Sequence, residues 1–149
     1  MDSLRLPARL ESLEALRLFV LHHAEAMGLA PQQTMKLELV LEEVLVNVMN
    51  YAYPAAPGDV DVGVERQGGM LLVTVRDWGK PFNPLEQPAP DLSVPLNERH
   101  IGGLGIVFLR EMTNALEYEY EQGANALTMG FALQPQNSED NQADEPGQR

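Results

Sequence analysis

The sequence has no cysteine and a single tryptophan among its 149 residues. Without cysteine there is no disulfide, no thiolate metal site and no cysteine nucleophile, and the chain suits a reducing cytosol. Positive charge is scarce: 10 Lys and Arg stand against 22 Asp and Glu, a formal net charge of -12. Such a surface repels phosphate backbones, which argues against direct contact with nucleic acid. No apolar run approaches the roughly 20 residues that cross a bilayer. The opening residues, MDSLRLPARLESLE, lack the cationic and then apolar stretches of a signal peptide. The expectation is a cytoplasmic protein with no membrane contact.

What is present suffices for one domain with its own core. Hydrophobic residues make up 44% and charged residues 21%, which argues against a disordered chain. Residues 2–9 alternate loosely and predict a short edge strand. From Glu11 the pattern turns helical, and Gly28 supplies a stop. A second helix follows Pro31 and is closed by Pro54. Residues 59–66 alternate, with Val60, Val62 and Val64 on one face; Gly68 and Gly69 then turn the chain into a second strand, MLLVTVRD. Residues 79–103 are rich in proline and glycine, as a lid or binding loop would be. A third helix is predicted over 104–115, then strands over 116–122 and 125–133 turned at Gly123. The tail from Gln134 is polar and reads as disordered. The domain is thus placed at 1–133, with an acidic tail at 134–149. The order of two helices, a hairpin, a helix and a hairpin predicts an α+β two-layer sandwich. Its sheet is mixed but mostly antiparallel, with the helices on one face.

Three stretches could carry chemistry. On the second helix, Leu37, Leu41, Val44, Leu45 and Val48 share an apolar arc, at about 100° per residue. Glu43 and Asn47, four apart, stack on one margin of that arc. A carboxylate beside a carboxamide suits a general base next to a ligand for a hard cation, or an ordinary polar helix flank. The second stretch, Asp77-Trp78-Gly79-Lys80-Pro81-Phe82, ends an apolar strand. It fits an acceptor in a semi-buried pocket with a glycine that lets a flat ligand approach, or a simple turn. The third, Arg99-His100-Ile101-Gly102-Gly103-Leu104-Gly105, fits an anion cradle at a helix start, or a hinge and cap. Met35 and Met129, with other methionines, read as core filler.

Taken in order, Glu43-x-x-x-Asn47, Asp77-x-Gly79-x-Pro81-Phe82 and Gly102-Gly103-Leu104-Gly105 resemble the N box and the two glycine boxes of the GHKL ATPases. The forms NVMNYAYP and GKPFNP look most like the anti-sigma serine kinase branch. The resemblance covers roughly residues 5–133 and implies the Bergerat ATP-binding sandwich. It implies ATP and Mg²⁺, with Asn47 as the Mg²⁺-holding residue and Glu43 as the catalytic base. Asp77 resembles the aspartate that accepts the adenine amino group, and Gly79 the glycine beneath the base. Arg99 stands where relatives place a γ-phosphate contact, and Gly102, Gly103 and Gly105 match glycines that meet the phosphates. Thr128 resembles a last-strand threonine near the adenine. The activity implied is a protein serine/threonine kinase that phosphorylates an anti-sigma factor antagonist protein or sequesters a sigma factor. The alternative is a non-catalytic ATP-binding module acting by sequestration alone. Relatives of this branch also pair as homodimers; residues 11–28 fit such a contact or burial within the monomer.

Overall fold

The computed structural model describes residues 1–86 and 109–133. Five strands form one sheet in the order β1-β2-β3-β5-β4, every neighbouring pair antiparallel. They are β1 (Asp2–Pro7), β2 (Asp59–Gln67), β3 (Met70–Asp77), β4 (Ala115–Glu121) and β5 (Ala124–Ala132). Two helices, α1 (Leu13–Ala26) and α2 (Pro31–Tyr51), complete the described architecture with the helical residues 109–112. This is the two-layer α+β sandwich that the pattern predicts.

Alternation decides which sheet face is buried. Val60, Val62 and Val64 stand opposite Asp77, Val75 and Val73 on β3, which in turn face Asn125, Leu127 and Met129 on β5. Directly opposed residues share a face, so the valines, Leu127 and Met129 form one apolar surface, with Asp77 and Asn125 at its end. Leu16, Val20 and Ala24 of α1 and Leu37, Val40, Leu41, Val44 and Leu45 of α2 join it in a single core that includes the fully buried Phe131 and Leu71. The spacing of four in α1 gives a narrow stripe, and Leu18 outside it is exposed. Met129 is fully buried, whereas Met35 is exposed rather than core filler.

The boundaries differ from expectation by a few residues, each for a local reason. Residues 10–12 form a 3-10 turn, so α1 begins at Leu13. The third helix is described only over 109–112 and has ended by Thr113. Asn114 cannot continue it. Its N–H donates to Gly130 O, while its side-chain oxygen accepts from Ala132 N and from Gln33 Nε2. The β4–β5 turn places Gln122 and Gly123 at φ 56° and 80°, the two positive values that a two-residue hairpin of matching twist requires. Glutamine therefore occupies a position that favours glycine or asparagine. The expected tail, 134–149, lies outside the described residues. Among the described residues no helix is long and apolar enough to cross a membrane.

Candidate functional site

Asp77 ends β3 on the helix-facing side of the sheet and is only 8% exposed. A buried carboxylate requires hydrogen-bond donors. Its Oδ1 accepts from Gly79 N at 2.9 Å and from Asn125 Nδ2 at 2.9 Å. Among the described residues Oδ2 has no hydrogen-bond partner, which leaves one acceptor oxygen for a ligand.

The turn after Asp77 is fastened to the end of α2. A Cβ on Gly79 would lie 2.3 Å from the Ala52 carbonyl oxygen, so only glycine admits the helix backbone at that distance. The approach that Gly79 permits here is that of the helix, where the sequence suggested a flat ligand. Tyr53 adds a second fastening: its hydroxyl accepts from Trp78 N at 2.7 Å and donates to Asp59 O at 2.6 Å. Burial raises the Tyr53 phenol above its usual pKa and keeps the donating proton in place. Trp78 is half-buried, with the Arg5 guanidinium 4.1 Å from its ring centroid.

Glu43 and Asn47 are both half-buried on α2. Asn47 stands five residues before Ala52, about 7.5 Å along the helix, and Glu43 a further turn back. Among the described residues neither side chain makes a hydrogen bond. Glu42 is exposed, as its helical position predicts. No group of three or more His, Asp or Glu stands ready to hold a metal among the described residues. The donor set nevertheless fits Mg²⁺. Asn47 offers one neutral oxygen, and that ion favours one or two protein ligands completed by water and phosphate oxygens.

Asn125 is the residue that sequence reasoning missed. It is 6% exposed and bonded through every polar atom of its side chain. Thr128, expected near the adenine, does not share the sheet face of Asp77. It pairs with Thr74 in register and its hydroxyl meets Thr74 Oγ1 at 2.9 Å, on the sheet face opposite Asp77. The signal was parity: Asn125 alternates with Leu127, Met129 and Phe131, whereas Thr128 is out of phase with them. Arg99, Gly102, Gly103 and Gly105 lie outside the described residues. A depression of about 550 Å³ lined by Arg5, Arg9, Tyr53, Asp59 and Trp78 contains neither Asp77 nor Asn47. It shares Tyr53 and Trp78 with the turn at Asp77.

A family model described as the histidine kinase-like ATPase domain matches residues 6–131. The serine/threonine-protein kinase BtrW of Bordetella bronchiseptica is 27% identical over 94 residues, covering 62% of this chain and 66% of that protein, just under two thirds of its length. The serine-protein kinase RsbW of Bacillus thuringiensis is 22% identical over 137 residues, covering 89% of this chain and 86% of that protein. A solved Mycobacterium tuberculosis chain carrying RsbU and RsbW domains superposes with a TM-score of 0.59 at 12% identity. It covers 91% of this chain and 34% of that chain, a likeness of fold alone.

Proposed function

The chain belongs to the histidine kinase-like ATPase domain family, and on that premise we propose that it is a Mg-ATP-dependent protein serine/threonine kinase of the anti-sigma regulatory type. Its acceptor is a hydroxyl on an anti-sigma factor antagonist protein. The relatives named as serine kinases at 22% and 27% identity support the choice of phosphoryl acceptor. The observation that carries the nucleotide half is Asp77: a buried carboxylate with one oxygen held and the other uncommitted among the described residues, beside the end of the helix bearing Glu43 and Asn47.

In this reading Asp77 Oδ2 accepts the exocyclic amino group of adenine, and the 77–79 turn borders the base. Glu43 orients the acceptor hydroxyl and takes its proton as the phosphoryl group moves. The oxygen of Asn47 holds Mg²⁺, which, when bound, neutralises charge on the phosphate oxygens. Arg99 and the glycines 102, 103 and 105 supply further phosphate contacts. Phosphoryl transfer is chiefly positioning and charge stabilisation, so two polar side chains on one rigid helix are an economical arrangement for it.

Calorimetric titration with ATP, with and without Mg²⁺, tests the nucleotide half. Labelled ATP incubated with the chain and its candidate antagonist tests the transfer. Glu43→Ala is expected to bind ATP as wild type does and to transfer nothing, while Asn47→Ala weakens Mg-ATP. Equal transfer by wild type and Glu43→Ala removes Glu43 from the mechanism. A tight complex without a labelled hydroxyl points instead to sequestration alone.

A further inference from the structure

Asn125 is the most heavily committed side chain in the described molecule. Its Nδ2 donates to Asp77 Oδ1 at 2.9 Å and to the Lys80 carbonyl at 2.9 Å. Its Oδ1 accepts from Phe82 N at 2.9 Å and from the Tyr118 hydroxyl. A carboxamide has two donors and two acceptor lone pairs, so its capacity is filled. The partners also fix which end is which. Phe82 N–H can only donate and the Lys80 carbonyl can only accept, so a flipped amide would oppose like with like at both. The amide oxygen can only accept, so the Tyr118 hydroxyl is the donor in their contact. Three partners, the Phe82 N–H, the Lys80 carbonyl and the Tyr118 hydroxyl, therefore hold Nδ2 against one oxygen of Asp77.

This has a consequence for Asp77. A carboxylate on a strand end can turn about its terminal torsion and present either oxygen. Here Oδ1 is pinned by donors from two directions, the Gly79 backbone and Asn125, so Oδ2 is held in one place. Two of the four Asn125 bonds go to the backbone of the 80–82 segment. One side chain thus joins the carboxylate to the loop that borders it.

We infer that Asn125, supported by Tyr118, is a positioning residue that makes Asp77 a directional acceptor and so sets the preference for a purine bearing an exocyclic amine. This rests on the ATP reading above and assigns the discrimination to a residue outside the expected set. Thr128, on the opposite face, takes no part in it.

The test compares ATP with purine riboside 5′-triphosphate, which has the same ring and phosphates but no exocyclic amine. The wild-type chain, Asn125→Ala and Tyr118→Phe are titrated with each, and thermal melts are run in parallel. Wild type is expected to prefer ATP by about tenfold or more, the worth of a hydrogen bond to a charged group. Asn125→Ala should lose that preference through weaker ATP binding, with the analogue bound as before. Tyr118→Phe, which removes one of two donors to the carbonyl, should fall between. A merely structural role would weaken both nucleotides equally, and that result overturns the inference. So does a preference for ATP that both variants retain. If Asn125→Ala fails to fold, Tyr118→Phe decides alone. A wild type that binds neither nucleotide removes the ATP reading itself, an outcome distinct from ATP binding with the preference unmoved.

Discussion

Asn125 Nδ2 donates to Asp77 Oδ1 at 2.9 Å across the β3–β5 register, and this contact links the last strand to the turn that ends β3. It distinguishes the Asp77 oxygen that the fold holds from the one without a partner among the described residues. Oδ1 serves the fold, since its two donors are a backbone N–H and a buried amide.

Asp77→Asn tests that separation. An asparagine keeps an oxygen for Gly79 N–H and Asn125 but replaces the second acceptor with a donor. The expected outcome is a loss of roughly tenfold to a hundredfold in ATP affinity with a melting temperature within a few degrees of wild type. Calorimetry and a thermal melt on the same preparation read both quantities. Unchanged affinity would mean that Oδ2 does not meet the base.

Gly79→Ala is expected to destabilise the fold, because the new methyl would meet the Ala52 carbonyl oxygen at 2.3 Å. Either the helix end or the turn must shift, at about 1–3 kcal/mol for overpacking. Gly69→Ala is the control: its added methyl meets nothing within 4 Å. Urea unfolding of the two variants should separate them clearly. Equal stability would show that the α2 end yields without cost.

Tyr53→Phe removes one hydroxyl that satisfies two backbone groups, the Trp78 N–H and the Asp59 carbonyl. Leaving partly buried polar groups unpaired costs about 1–3 kcal/mol. The variant should unfold at lower denaturant with an unchanged slope, because the surface exposed on unfolding is the same. A wild-type midpoint would mean that water replaces the hydroxyl at both groups.

Much of this architecture is legible in the chain because its signals are local. Val60, Val62 and Val64 give β2 its buried face by alternation alone, and Leu37, Leu41 and Leu45 do the same for α2 at helical spacing. Asp77 stands out because a carboxylate follows an apolar strand. What was hidden depends on register. Asn125 meets Asp77 only because β5 pairs with β3 in one alignment out of several, and a shift of one residue would send it to the other face. The resemblance that singles out Thr128 likewise does not say which face of the last strand it occupies; register puts it beside Thr74. At Gly79 the sequence suggests room for a flat ligand, but it does not announce the close approach of Ala52, 27 positions earlier in the chain.

Asp61 supplies a prediction in pH. It sits in register between Arg5 on β1 and Arg76 on β2's other neighbour, β3, with Arg76 Nη1 3.7 Å from its carboxylate. Two arginines should favour the charged form, yet burial outweighs them and raises the Asp61 carboxyl above the ordinary 3.8. The folded state then holds this proton more tightly than the unfolded chain. Between 3.8 and the raised value the native state binds more protons than the unfolded one, so this group's contribution to stability falls as pH rises through that window. Above the window its charge is a constant cost. Asp61→Asn, which carries no charge to desolvate, is therefore expected to be at least as stable as wild type at pH 7. Its advantage should shrink as pH is lowered through the window and the wild-type carboxyl protonates. Paired urea titrations at several pH values measure the difference. An Asp61→Asn variant that is less stable at neutral pH, and recovers parity only in acid, would reverse the sign and show that the two arginines outweigh the burial.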